Sequence, residues 1–211
     1  MWIDYSKEID IRNLNIIFNT DNQHPSINSK SIIKMNQTHS NTVNFISGNR
    51  QIYESTDALF TSNNNIALEV KVADCMPIFI FDKKLSFFGA IHAGWRGLAN
   101  GIIENSINSL KEKDLEINNV KVFIGPSISQ RNFEIQSDVM SYFDSKFSIV
   151  EDGKIFLSLQ EVAIDKFASY GISDIVNINE CTYENLNYHS YRRDKTDKSC
   201  LLYTSPSPRD P

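Results

Sequence analysis

Three polar loops of this 211-residue chain carry side chains that can do chemistry: NQTHS at 36–40, ADC at 73–75 and HAGWRG at 92–97. Each follows an apolar run. In α/β sheets, residues just past the strand ends gather at one rim, where ligands usually bind. His39, Cys75 and His92 can therefore converge. Imidazole nitrogen and thiolate sulfur are zinc donors, and a catalytic zinc keeps three protein ligands and one open position. Two histidines and a cysteine meet that count, although they lie far apart in sequence and form no local ligand signature of the CxxC or HExxH kind. Residue type alone leaves blander roles open. Cys75 also reads as a small buried hydrophobe at a strand end, His92 as a turn histidine, His39 as a loop or capping residue and Trp95 as core. Gly94 and Gly97 equally serve a turn. Arg96, ahead of a helical pattern, suits a phosphate as well as it suits solvent.

The elements that must position these loops follow from periodicity. β-rich runs fall at 42–46, 66–72, 77–81, 87–91, 120–124 and 174–178,. Leu98, Ile102, Ile103, Ile107 and Leu110 form one apolar stripe and predict a helix over 98–111. A second helix is predicted over 137–147. A third starts at Ser158, which has capping-box spacing to Glu161, and stops at Gly171. Strands interleaved with helices predict a single α/β domain over 1–200, its sheet covered on both faces. Hairpin-like spacing near Asp74 predicts that the sheet is mixed. Residues 201–211, LLYTSPSPRDP, are rich in Pro and Ser without a usable pattern, and read as a disordered or non-native tail outside the fold.

Composition limits the function classes. A net charge of −5 gives no general attraction to phosphate backbones or anionic lipid,, so neither nucleic acid nor a membrane is an expected partner. No apolar run approaches the roughly 20 residues that span a bilayer, and the first residues lack a signal-peptide stretch. A cytoplasmic location is expected. Cys75, Cys181 and Cys200 are odd in number and widely spaced, which describes no disulfide framework,.

Taken together the loops resemble the laccase-domain or polyphenol oxidase family, understood as purine nucleoside phosphorylases with adenosine deaminase activity. NQTHS, ADC, HAGWRG, IGPSI at 124–128 and SYRRD at 190–194 occur in that family's order and at its separations. Asp57-Ala58-Leu59 is similar to its short acidic motif. The likeness covers roughly residues 33–196. It implies His39, Cys75 and His92 as metal ligands, a three-layer α/β/α sandwich with a mixed sheet, phosphorolysis of adenosine, inosine and S-methyl-5'-thioadenosine, and deamination of adenosine. There are departures. The family's Thr-Arg-x-Gly-Gly element has no counterpart around 15–21. Asn132 stands where relatives often carry cysteine. After Thr196 the expected Thr-Gly-Arg and closing strand are missing or replaced. His24, His189, Cys181 and Cys200 receive no role.

For deamination, an activated water attacks C6 of adenine while an acid protonates the leaving ammonia. Asp57 and Asp74 are the candidate acids, and either can instead orient a ligand histidine. Phosphorolysis needs an anion site, which Arg96, Arg192 and Arg193 can supply. Zinc is the expected cofactor. Copper fits less well, because a lone His₂Cys set lacks the histidines of a multicopper cluster. The rival enzyme is a cysteine hydrolase, with Cys75 as nucleophile paired to His92 or His39. A zinc-stabilised interaction module would require a fourth protein ligand.

Overall fold

The apolar runs assemble as two six-stranded mixed sheets. The computed structural model describes residues 1–9, 11, 14–20, 31–48 and 50–206; His24 lies outside them. The first sheet runs β1 (Trp2–Asp4), β2 (Leu14–Asn19), β15 (Cys200–Pro206), β7 (Ile66–Val72), β3 (Ser31–Asn36), β5 (Ile52–Glu54). The second runs β14 (Ile175–Asn177), β10 (Val120–Ile124), β8 (Met76–Asp82), β9 (Phe88–Ala93), β6 (Ala58–Thr61), β4 (Val43–Ile46). A small third sheet joins β11 (Glu134–Ile135), β13 (Lys154–Leu157) and β12 (Ser148–Glu151). The helices are α1 (Trp95–Ala99), α2 (Ile102–Lys111), α3 (Ser137–Met140), α4 (Leu159–Ser169) and α5 (Tyr191–Asp194). None of the described helices is long and apolar enough to cross a membrane.

The fold is α/β with mixed sheets and few helices, as the sequence predicts. Its layers are sheet, sheet and helix. Alternation along the strands of the second sheet divides their side chains between two cores. Phe79, Phe81, Phe88 and Phe123 face Phe18, Leu68, Val70 and Leu202 of the first sheet. Ile78, Ile80, Ile91 and Val122 face Leu98, Ile103, Ile107, Val162 and Phe167 of the helices. This explains the nearly unbroken apolar composition of β8: a strand buried on both faces has no polar side to show.

Several expectations need correction. The stripe over 98–111 is two helices, α1 and α2, broken where Gly101 takes φ 86°. Residues 137–147 form only the four-residue α3 and a 3-10 turn. No hairpin lies at Asp74, because β7 and β8 belong to different sheets and the chain crosses between them there. The Ser158 cap is real: its Oγ accepts from the Glu161 N–H at 3.2 Å, and Gly171 ends that segment at φ 79°.

The largest correction is at the C-terminus. Residues 201–206, expected in a disordered tail, lie in β15, which pairs antiparallel with both β2 and β7 and supplies the closing strand. Leu201, Leu202 and Tyr203 are buried. The segment is an imperfect strand, since the Thr204 and Ser205 hydroxyls are buried without a hydrogen-bond partner among the described residues, at a cost of about 1–3 kcal/mol each. That conflict hides the strand from pattern reading. Three buried side chains at about 2 kcal/mol each exceed the lower end of that cost by up to about 4 kcal/mol, so deleting 201–211 is expected to lower the melting temperature by roughly 5–10 °C. An unchanged melting curve would show that β15 contributes nothing.

Candidate metal centre

Two of the three loops are crossovers between the sheets. The His39 loop leads from β3 in the first sheet to β4 in the second, and the Cys75 loop leads from β7 to β8. His92 sits near the end of β9, paired with Pro77 of β8. The sequence expectation of one sheet rim thus becomes a seam where two sheets exchange chain. There the donor atoms of His39, Cys75 and His92 lie within 4.8 Å of one another. Cys75 Sγ is 3.8 Å from His39 Nε2, and the imidazole rings are edge-to-face at 4.7 Å between centroids.

Asp57 holds this cluster in place. It is fully buried. One carboxylate oxygen accepts from His92 Nδ1 at 2.7 Å and from the His39 backbone N–H at 3.0 Å; the other accepts from Ser40 N–H at 2.7 Å, Ser40 Oγ at 2.6 Å and Thr38 N–H at 3.2 Å. Its backbone carbonyl also accepts from the His92 N–H at 2.8 Å. These bonds fix the tautomer of His92, leaving Nε2 for the cluster, and support His39 in its left-handed conformation at φ 60°. Burial pushes the Asp57 carboxyl up, but the His92 and Ser40 hydrogen bonds outweigh it and hold the group well below the usual carboxylate range. Asp57 is accordingly an anionic positioning group.

Asp74 has different work. Its carboxylate accepts from Thr182 Oγ1 at 2.7 Å and from the Arg192 N–H at 2.6 Å, tying the Cys75 loop to α5. Arg193 lies away from the cavity. It donates to the carbonyls of Thr182, Tyr183 and Tyr188 and pairs with Asp194, so it fastens the segment before α5. Arg96 is the second residue of α1 and stacks on Trp95 at 4.4 Å. Arg192 lies 5.3 Å from the Phe133 ring. Sequence reasoning missed Lys71, Lys195 and Lys198, which line the same cavity of about 690 Å³; no motif marks them.

The residues fit a zinc ion. Tetrahedral ligands at 2.0–2.3 Å from the metal stand about 3.4–3.7 Å apart, close to the separation of Cys75 and His39. Among the described residues the cluster has three such donors and no fourth, and it lines the cavity. Gly94 has a steric role here that its ordinary backbone angles conceal: a Cβ would stand 2.8 Å from Cys75 Sγ and 3.1 Å from the His39 ring. Without metal, burial pushes the Cys75 thiol up, but the charge of His92 and the hydrogen bond from His39 bring it down to about 6. Burial lowers His92, while the Cys75 thiolate and Asp57 raise it to about 9. Each group thus favours the charged form of the other.

Residues 13–200 match the family described as multi-copper polyphenol oxidoreductase laccase. The chain is 31% identical over 169 residues to "Purine nucleoside phosphorylase YfiH" of Shigella flexneri, covering 77% of this chain and 68% of that protein. It is 33% identical over 145 residues to the purine nucleoside phosphorylase of Aquifex aeolicus, covering 69% and 68%. The crystal structure of Bacillus licheniformis YfiH superposes with a TM-score of 0.82 at 21% identity, covering 92% of this chain and 93% of that one. YlmD from Geobacillus stearothermophilus gives 0.78 at 22% identity, covering 84% and 74%. These structures share the fold.

Two outcomes check the geometry. Asp57→Asn is expected to weaken zinc binding roughly 10–100-fold, the usual effect of removing a partner that orients a ligand; measured by chelator competition, wild-type affinity would remove Asp57 from this role. In metal-free protein, iodoacetamide is expected to label Cys75 ahead of the buried Cys181 and Cys200, with a rate that rises through about pH 6,. Added zinc should suppress the labelling, and equal labelling of all three would contradict the site.

Proposed function

The chain belongs to the multi-copper polyphenol oxidoreductase laccase family, and from that membership and a three-donor cluster opening on a large cavity we propose that it is a zinc-dependent purine nucleoside phosphorylase. The observation that carries the reading is the cluster itself, His39, Cys75 and His92, set in one wall of that cavity. Zinc held there supplies a Lewis acid with one position open to substrate or water. The described residues do not fit multi-copper chemistry, because the one cluster of three or more potential ligands among them is this His₂Cys set and a multicopper centre needs many more histidines.

The cavity suits a purine nucleoside and phosphate. Trp95, Phe133 and Tyr191 line it and supply aromatic surface against which a base can pack. Arg96, Arg192 and the lysines give a cationic lining in a chain whose net charge is −5, which draws an oxyanion from solution. In phosphorolysis a phosphate oxygen forms a bond to C1' of the ribose as the bond to the purine nitrogen breaks. The base leaves with its bonding electrons and takes up a proton. Hydrolytic deamination of adenosine is a second proposed activity, favoured by the open ligand position. Asp57 and Asp74 are both committed to hydrogen bonds, so they position the site in either reaction. Adenosine, inosine and S-methyl-5'-thioadenosine are the proposed substrates.

A cysteine hydrolase has one observation in its favour: Asp57, His92 and Cys75 stand in the order of a nucleophilic triad,. Metal content separates the two. The purified protein, incubated with adenosine with and without phosphate and analysed by chromatography, is expected to release adenine only with phosphate; any deamination would yield inosine in both. Cys75→Ala is expected to lose zinc and at least about 10²-fold activity together. Full activity of a metal-free protein, abolished by thiol alkylation, would favour the hydrolase.

A further inference from the structure

We propose that Gln37 is a positioning residue of the metal centre: its side-chain amide staples the His39 loop to the strand that delivers Cys75, and so sets the gap between those two donors. This deepens the zinc reading of the cluster and rests on it for the choice of metal. β3 and β7 run parallel, and their ladder ends with Ile33 opposite Leu68. Continued in that register, Lys71 would meet Asn36, but from Lys34 to Asn36 the partner of β3 is β5. The Gln37 amide fills the gap. The Lys71 N–H donates to Gln37 Oε1 at 2.8 Å, and the Lys71 carbonyl accepts from Gln37 Nε2 at 2.7 Å. One side chain thus supplies both the acceptor and the donor that a neighbouring strand would.

The staple sits where the two crossovers begin. Gln37 is two residues before His39, and Lys71 is four before Cys75. Asp57 ties residues 38–40 to the second sheet, whereas Gln37 ties the start of that loop to the first. Cys75 is held from its own side, by Val72 opposite Cys200 and by the Asp74 bonds to Thr182 and Arg192. The 3.8 Å between Cys75 Sγ and His39 Nε2 then depends on where the His39 loop stands relative to β7. His39 has φ 60°, a conformation that a residue other than glycine keeps only when its surroundings hold it. Removing the amide frees the side of the loop next to β7. Gln37 also lines the cavity, but its oxygen and an amide hydrogen are taken up by the Lys71 main chain, so it acts on the site through the loop.

The test is the zinc affinity of the full chain by chelator competition, together with absorption of the cobalt-loaded protein and amide hydrogen exchange of the metal-free protein. Gln37→Ala is expected to weaken zinc binding about tenfold, or about 1.4 kcal/mol, the scale of one or two lost hydrogen bonds and of a group that orients a ligand. Gln37→Asn, an amide one methylene shorter, loses the same reach and is expected to behave alike, so the outcome does not hang on the folding of one variant. Gln130→Ala, which removes an amide bridging the Phe147 and Phe156 carbonyls outside the cavity, leaves the affinity unchanged. The thiolate-to-cobalt band should weaken or shift in both Gln37 variants, which a general loss of stability would not produce. In metal-free protein the His39 and Ser40 amides should exchange at least about tenfold faster than in wild type. Wild-type zinc affinity in both Gln37 variants would overturn the staple. If the wild-type chain itself binds no zinc, the zinc reading fails, and the exchange rates alone decide for or against the staple.

Discussion

The arrangement depends on one buried carboxylate. Asp57 accepts hydrogen bonds from both segments that carry the histidines of the cluster, reaching the His39 loop through its backbone and His92 through its ring. A buried anion is costly unless its lone pairs are filled. Filling them here requires the 38–40 loop and the end of β9 to sit where the cluster needs them. The electrostatics follow from the same constraint: an Asp57 carboxyl held well below the usual range favours the protonated ring of a metal-free site and, bonded to Nδ1, leaves Nε2 for a metal,.

Around that point the two sheets supply rigidity. β7 and β8 are consecutive in sequence yet lie in different sheets, so Cys75 is placed by a crossover whose two ends are both anchored in core. Asp74, at φ 84° just before it, ties the crossover to Thr182 and α5. Gly94 completes the fit by leaving the space that Cys75 Sγ and the His39 ring occupy. Potential donor atoms drawn from three distant segments can then meet within 4.8 Å without a local motif.

That geometry explains what could be seen in the sequence. The strands 66–72 and 120–124 match β7 and β10 because aliphatic side chains crowd a strand buried in the core. His39, Cys75 and His92 were legible as candidate ligands by residue type and through family likeness, and their proximity was not legible from spacing, because the positions are joined by topology. The division into two sheets was not legible, since a run such as that of β8 says it is buried on both faces without saying by what. The Asp57 network was half visible: its candidacy could be read, its choice between acid and orienter could not. β15 was hidden by its Pro and Ser content and buried hydroxyls.

The central claim is that a single metal ion is held by His39, Cys75 and His92 with one position left open. X-ray absorption at the zinc edge of the purified protein tests it most directly. The account predicts a four-coordinate first shell of one sulfur at about 2.3 Å and two imidazole nitrogens at about 2.0–2.1 Å, with one light atom from solvent. A shell without sulfur, or one closed by four protein ligands, would contradict it.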